Sequence, residues 1–163
     1  MTAGEIRVGL GLDLHPWGEG RPLLLGGVRF EGETGLAGHS DGDVVCHAVA
    51  DALLGAAGLE DLGTHFPDTD PAHHGIAGLA VLTRVAEMAA EAGFACAQCD
   101  LTILAERPSI GPRRDEVRAN LARVLGVAIG EVSVKATRPE GLGLSGDGIG
   151  CLAVVLVSHR PGS

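Results

Sequence analysis

Residues 6–15 alternate strictly, with Ile6, Val8, Leu10, Leu12 and Leu14 on one face of a predicted strand and Arg7, Gly9, Gly11, Asp13 and His15 on the other. A period of two sets Asp13 and His15 on one side, and the glycines before them clear space there. A second extended segment is predicted over 22–30, broken by Gly26-Gly27. The period then lengthens. Val44, Val45, Ala48, Ala52, Leu53 and Leu54 predict a helix over 43–55, with Asp41 and Asp43 at its capping end. A helix over 76–91 is closed by Gly93, and another runs from Pro112 to just before Gly126 with Val117, Leu121 and Leu125 spaced four apart. Strands are predicted over 98–105, 131–137 and 149–158, with a loop at 66–71 and a glycine-rich link at 141–148.

Strands and helices are interspersed, yet adjacent strands at both ends imply antiparallel pairs. The expected fold is α/β (α+β), a single-domain sandwich whose mixed, largely antiparallel sheet carries helices on one face, rather than a doubly wound fold. The pattern shows no repeat and no linker, so one domain is expected over 1–163, with its core over 6–158 and a frayed tail at 159–163.

Composition narrows the function. The 163 residues are 45% hydrophobic but only 2% aromatic, so the core must be aliphatic. A net charge of -9 argues against nucleic acid or an anionic membrane as partner. It leaves room for a phosphorylated small molecule held through metals and backbone N–H groups. The chain lacks an apolar run of about 18 residues and its start lacks a signal-peptide layout, so a cytoplasmic protein without a membrane partner is expected. Of the four cysteines, Cys96 and Cys99 form a lone C-x-x-C, read as small buried or half-buried side chains rather than a metal or redox pair.

Asp13 and His15 on a strand, with His47 one turn into a helix, make a three-ligand metal set with an open fourth position. Zinc held by one carboxylate and two imidazoles in this way is arranged to polarise a ligand rather than to staple a fold. Asp51, four residues beyond His47, either orients that imidazole or faces solvent. His73, His74 and His159 are read as solvated surface, and His65 is left open. Glu140 is a candidate second metal ligand. The glycines at 141–148 do not open a helix and fit neither a P-loop nor a dinucleotide fingerprint.

The ordered motifs D-x-H, H-S-D-G-D-x-x-x-H, D-A-L-L-G-A, F-P-D-T-D-P and K-A-T-x-x-E-x-L-G resemble the 2-C-methyl-D-erythritol 2,4-cyclodiphosphate synthase family, from Arg7 to Val157. The resemblance implies a ferredoxin-like or chorismate-mutase-like subunit of a homotrimer, with sites shared between neighbours. It implies a cytidine diphosphate substrate, 4-diphosphocytidyl-2-C-methyl-D-erythritol 2-phosphate, cyclised with loss of CMP. Zn2+ would be held by Asp13, His15 and His47, and Mg2+ or Mn2+ by Glu140 and the substrate phosphates. His39 and Ser40 would meet the attacking phosphate, with His39 catalytic. Asp61, Leu62 and Gly63, with Phe66, Pro67, Asp68, Thr69 and Asp70, would hold the methylerythritol. Ala105, Glu106, Arg107, Pro108, Ser109, Ile110 and Gly111 would line the cytidine with Thr137, Arg138, Pro139, Glu140 and Leu144.

The chain departs from the family pattern at three places. Arg138 stands where the family has a second threonine, a transition-state stabiliser, and so takes that catalytic position. Ser109 replaces a lysine, and the closing loop is about two residues shorter, without its aromatic and arginine. Two other readings stay open: a metal-dependent phosphohydrolase, although the Gly-Asn-His box of metallophosphatases is missing, and a non-catalytic binder of phosphometabolites or isoprenoid phosphates.

Overall fold

The protein is described by a computed structural model covering residues 5–143 and 147–159. Leu144 and the tail beyond His159 lie outside those residues. The strands are β1 (Ile6–Gly18), β2 (Leu23–Leu25), β3 (Val28–Phe30), β4 (Gly35–Leu36), β5 (Phe94–Leu104), β6 (Val132–Thr137) and β7 (Gly148–His159). The helices are α1 (Val44–Ala57), α2 (Leu62–His65), α3 (Gly78–Glu91) and α4 (Arg114–Leu125). One five-stranded sheet has the order β4-β1-β7-β5-β6. Its pairs are antiparallel except β5 with β6.

The segment predicted over 22–30 is a separate hairpin of β2 and β3. Gly26 and Gly27 turn it with φ of 59° and 71°, which side-chain-bearing residues adopt at a cost. Both of their amides donate to the Asp43 carboxylate, at 2.8 and 2.6 Å. The same carboxylate caps α1 through Val45 and Cys46, each at 3.1 Å, and is wholly buried. Four donors therefore converge on one side chain, and Asp43→Ala would strand them without water. That substitution is expected to cost about 3 kcal/mol, more than an ordinary cap, because buried donors lose their acceptor. Urea unfolding checks this; a loss under about 1 kcal/mol would mark Asp43 as an ordinary cap.

The helix predicted to end at 55 continues to Ala57 and closes at Gly58 in a left-handed conformation. Strand β5 begins at Phe94, earlier than the predicted 98, because a bulge between Cys96 and Gln98 interrupts its alternation. Cys96 is half-buried and Cys99 buried, and both are free thiols, as the small-side-chain reading expects. Burial pushes them up to about 11 and about 12, so neither is poised for redox work. Helix α3 starts at Gly78 rather than 76, since Ile76 is drawn off to accept from the Asp41 amide at 3.1 Å. A 3-10 turn over Gly111–Arg113 precedes α4.

The helices cover one face of the sheet, and the core between them is aliphatic: Leu53, Leu54, Leu82, Leu101, Ile103 and Leu121 are at most 1% exposed. Strand β1 turns its glycines, not its aliphatics, toward α1. A Cβ at Gly9 would lie 1.9 Å from the Ala52 carbonyl oxygen, and one at Gly11 would lie 2.0 Å from that of Ala48. Backbone thus packs on backbone, which side chains would forbid. Ile6, Val8, Leu10, Leu12 and Leu14 consequently face outward, with exposures of 46–65%, beside Leu152 and Val154 of β7. Among the described residues, no helix is long and apolar enough to cross a membrane.

Candidate metal centre

The close approach of α1 to β1 brings three side chains together. Asp13 and His15 project from β1 toward the helix, and His47 comes from the first turn of α1. Asp13 Oδ2 lies 2.9 Å from His15 Nε2 and 3.2 Å from His47 Nδ1. One ligand atom from each falls within 4.8 Å of the others. Burial works to raise the Asp13 carboxyl, but hydrogen bonds and charge from both imidazoles outweigh it and hold the group well below the usual carboxylate range. Burial works to lower His15, and Asp13 outweighs it to raise that imidazole above its ordinary value.

Each imidazole has its second nitrogen engaged. His15 Nδ1 donates to the Ala37 carbonyl at 2.5 Å, which leaves the Nε2 lone pair pointing inward. His47 Nε2 is 3.2 Å from Ser40 Oγ, which takes its N–H when Nδ1 faces an ion. The donor set fits a divalent ion of the zinc type: one anionic oxygen, two neutral nitrogens, fixed tautomers and an open side. Asp51 does not serve His47. Its Oδ1 accepts from the Leu62 amide at 2.9 Å and ties α1 to α2.

The open side faces a cavity of about 380 Å³. Of the expected site residues, Asp13, His15, His39, Ser40, His47, Leu62, Gly63, Phe66, Asp68 and Asp70 line it. Pro67 and Thr69 belong to the same loop but are not in its lining. Asp61 is exposed and caps α2, accepting from the Thr64 amide at 2.9 Å and hydroxyl at 2.7 Å. Those two hydrogen bonds lower its carboxyl below the ordinary value, so it is an ionised acceptor.

His73 and His74, read from the sequence as solvated surface, also line the cavity; His74 is exposed as expected, whereas His73 is half-buried. The His73 ring meets Phe66 edge-on at 5.2 Å, and its Nε2 is 3.5 Å from Asp70 Oδ2. Its spacing of three from Asp70, inside a turn led by Pro71, was the available signal. His65 has a structural partner, donating to the Leu59 carbonyl at 2.6 Å. His159 is exposed, as expected, and meets Phe94 edge-on at 5.7 Å.

The expected nucleotide residues lie elsewhere in the chain. None of Ala105, Glu106, Arg107, Pro108, Ser109, Ile110, Gly111, Thr137, Arg138, Pro139 and Glu140 lines the metal cavity. They gather at the same end of the sheet, where Leu104 pairs with both Thr137 and Gly150, and Gly150 pairs with Leu14. The Ala105 amide donates to the Thr137 carbonyl at 3.1 Å, and Glu106 accepts from the Gly141 amide at 3.1 Å. The Arg107 guanidinium stacks 4.4 Å from the Trp17 ring centre and pairs with Glu33. Arg138 and Glu140 are exposed, and Glu140 has a positive φ of 54°.

The sequence model of the YgbB family matches residues 6–158. The chain is 54% identical over 159 residues to the bifunctional enzyme IspD/IspF of Anaeromyxobacter sp. (strain Fw109-5), covering 96% of this chain and 41% of that one. The chain thus spans about two-fifths of the length of that relative. It is 50% identical over 155 residues to the 2-C-methyl-D-erythritol 2,4-cyclodiphosphate synthase of Symbiobacterium thermophilum, covering 94% of this chain and 99% of the relative. A solved 2C-methyl-D-erythritol-2,4-cyclodiphosphate synthase in a CDP-bound form superposes with a TM-score of 0.86 at 36% identity, covering 93% of this chain and all of that one. With a matched span of 6–158 and these identities, the chain belongs to the YgbB family, that of the 2-C-methyl-D-erythritol 2,4-cyclodiphosphate synthases.

Proposed function

We propose that the protein converts 4-diphosphocytidyl-2-C-methyl-D-erythritol 2-phosphate to 2-C-methyl-D-erythritol 2,4-cyclodiphosphate with release of CMP. This is a metal-dependent cyclising lyase step of non-mevalonate isoprenoid biosynthesis. The observation that carries the reading is the Asp13–His15–His47 set opening onto one cavity with His39, Ser40 and the Phe66 loop. The names of the relatives support it. An oxygen of the 2-phosphate bonds to the β-phosphorus. The bond from that phosphorus to the oxygen bridging to the α-phosphate breaks, and its electron pair leaves with CMP. Nucleophile and electrophile are both anionic, so the barrier is charge repulsion plus the entropy of ring closure.

Asp13, His15 and His47 would hold zinc, and Glu140 a magnesium or manganese ion; bound there, they would supply Lewis-acid polarisation and neutralise diphosphate charge. One protein carboxylate suits an ion whose other ligands are phosphate oxygens and water. His39 and Ser40 border the attacking phosphate, and His39 helps to stabilise the charge of the transition state. The ionised Asp61 accepts from methylerythritol hydroxyls, while Leu62, Gly63 and Phe66 wall off water. Main-chain groups over 105–111 and 137–140 receive the cytidine end. Arg138 brings a charged donor where its relatives use a hydroxyl.

The metal cavity and the nucleotide residues stand apart in one chain, which favours a homotrimer that completes each cavity from a neighbour. The outward row of Ile6, Val8, Leu10, Leu12 and Leu14 offers apolar surface for such a contact. The cytoplasm is the compartment in which we place the reaction. Incubating the zinc-loaded protein with substrate and magnesium is expected to yield CMP and cyclic diphosphate in equal amounts. No CMP from a folded sample overturns the reading, and metal-dependent binding without CMP points to a phosphometabolite binder. Inorganic phosphate in place of a cyclic product points to a phosphohydrolase.

A further inference from the structure

The carbonyls of Ala37, Gly38, His39 and Ser40 all find partners from outside their own loop. Ala37 accepts from His15 Nδ1, and His39 accepts from the Gly75 amide at 2.7 Å. The remaining two accept from a single side chain: Arg21 Nη1 reaches the Gly38 carbonyl at 2.7 Å, and Arg21 Nη2 reaches that of Ser40. One planar guanidinium therefore grips the backbone immediately before and after His39. Arg21 is itself held, since its own carbonyl accepts from the Gly35 amide of β4 at 3.0 Å. On the far side, the Asp41 amide donates to the Ile76 carbonyl at 3.1 Å, so the 38–41 segment lies between Arg21 and the 75–78 segment. The His39 side chain is exposed and borders the cavity. Its direction depends on how firmly its backbone is fixed.

We propose that Arg21 is a positioning residue for His39: its two-pronged guanidinium sets the angle at which the imidazole meets the substrate phosphate. This rests on the reading of His39 given above. A lysine ammonium is a point charge on a flexible stem and does not hold two carbonyls in fixed relation, whereas the arginine fork does. Small misplacements of a group that must meet a reacting atom reduce turnover steeply while leaving binding of the rest of the substrate intact.

The test compares Arg21→Lys and Arg21→Gln with the parent in two backgrounds. In the parent background, Arg21→Lys is expected to lower kcat about tenfold with KM changed less than about twofold, and zinc content and Tm preserved. In a His39→Ala background the same change should lower kcat by less than about twofold, because the group it positions is gone. Hydrogen exchange should quicken at the Asp41 and Gly75 amides in both Arg21 variants. Full activity of Arg21→Lys would overturn the proposal in favour of a simple charge effect. Equal losses in both backgrounds, zinc loss in step with activity, or unchanged amide exchange would overturn it as well. If the parent protein released no CMP, the proposed reaction would fall, while the exchange measurement would still decide whether Arg21 holds the loop.

Discussion

His47→Ala is expected to abolish zinc retention and to lower CMP release by more than about a hundredfold, beyond what loss of an outer partner of a ligand costs. The residue is 8% exposed and its imidazole contributes one of three donor atoms, so its loss leaves a carboxylate and a single imidazole. Two donors hold zinc poorly against dialysis. The helix should survive, because alanine is the best helix former and α1 keeps its Asp43 cap. Zinc content after dialysis and far-UV circular dichroism check both halves of the expectation. Stoichiometric zinc in the variant would refute the ligand assignment, and loss of helical signal would assign the defect to folding.

The second large effect is structural. In Gly11→Ala the new methyl would sit 2.0 Å from the Ala48 carbonyl oxygen and 2.7 Å from the Ala52 amide nitrogen. Both are backbone atoms of α1, so no rotamer change relieves the clash; the helix must retreat from the strand. Overpacking of this kind costs about 3 kcal/mol, or roughly 6–12 °C in Tm for a domain of this size. Retreat of α1 also carries His47 away from Asp13, so zinc affinity should fall together with stability. Gly55→Ala, on the same helix, meets nothing within 4 Å and is expected to stabilise by about 0.5–1 kcal/mol. Thermal unfolding of the two variants side by side is the measurement. A Gly11→Ala protein that melts with its parent would show that helix and strand are not in tight contact.

Much of this arrangement is legible in the sequence because it rests on local periodicity. Alternation alone sets Asp13 and His15 on one face of β1, and the placement of Asp43 before an apolar helical run marks the start of α1. Cys99 sits in the strand that its neighbours predict. What local pattern cannot carry is contact between distant segments. Asp51 sits one turn from His47, yet its carboxylate is taken by Leu62, and only the folded loop shows which neighbour wins. His73 and His74 have the composition of a solvated loop and come to the cavity because the segment after Pro71 folds back on the His39 backbone. The bulge near Cys96 hides the first residues of β5 by shifting its period. Arg21 carries no motif. Its role emerges from two carbonyl contacts that a sequence does not display.

Strand β1 presents ligands on one side and aliphatic chains on the other, and that has a consequence for how it finds its place. A slip of one residue against β7 would turn Leu10 and Leu12 onto helix backbone where not even a methyl fits. The same slip would point Asp13 and His15 away from His47. Chains mispaired by one residue forfeit helix packing and the metal set together. Metal uptake during refolding is therefore expected to count correctly paired molecules, so that an ion held there would act as a proofreader of strand pairing.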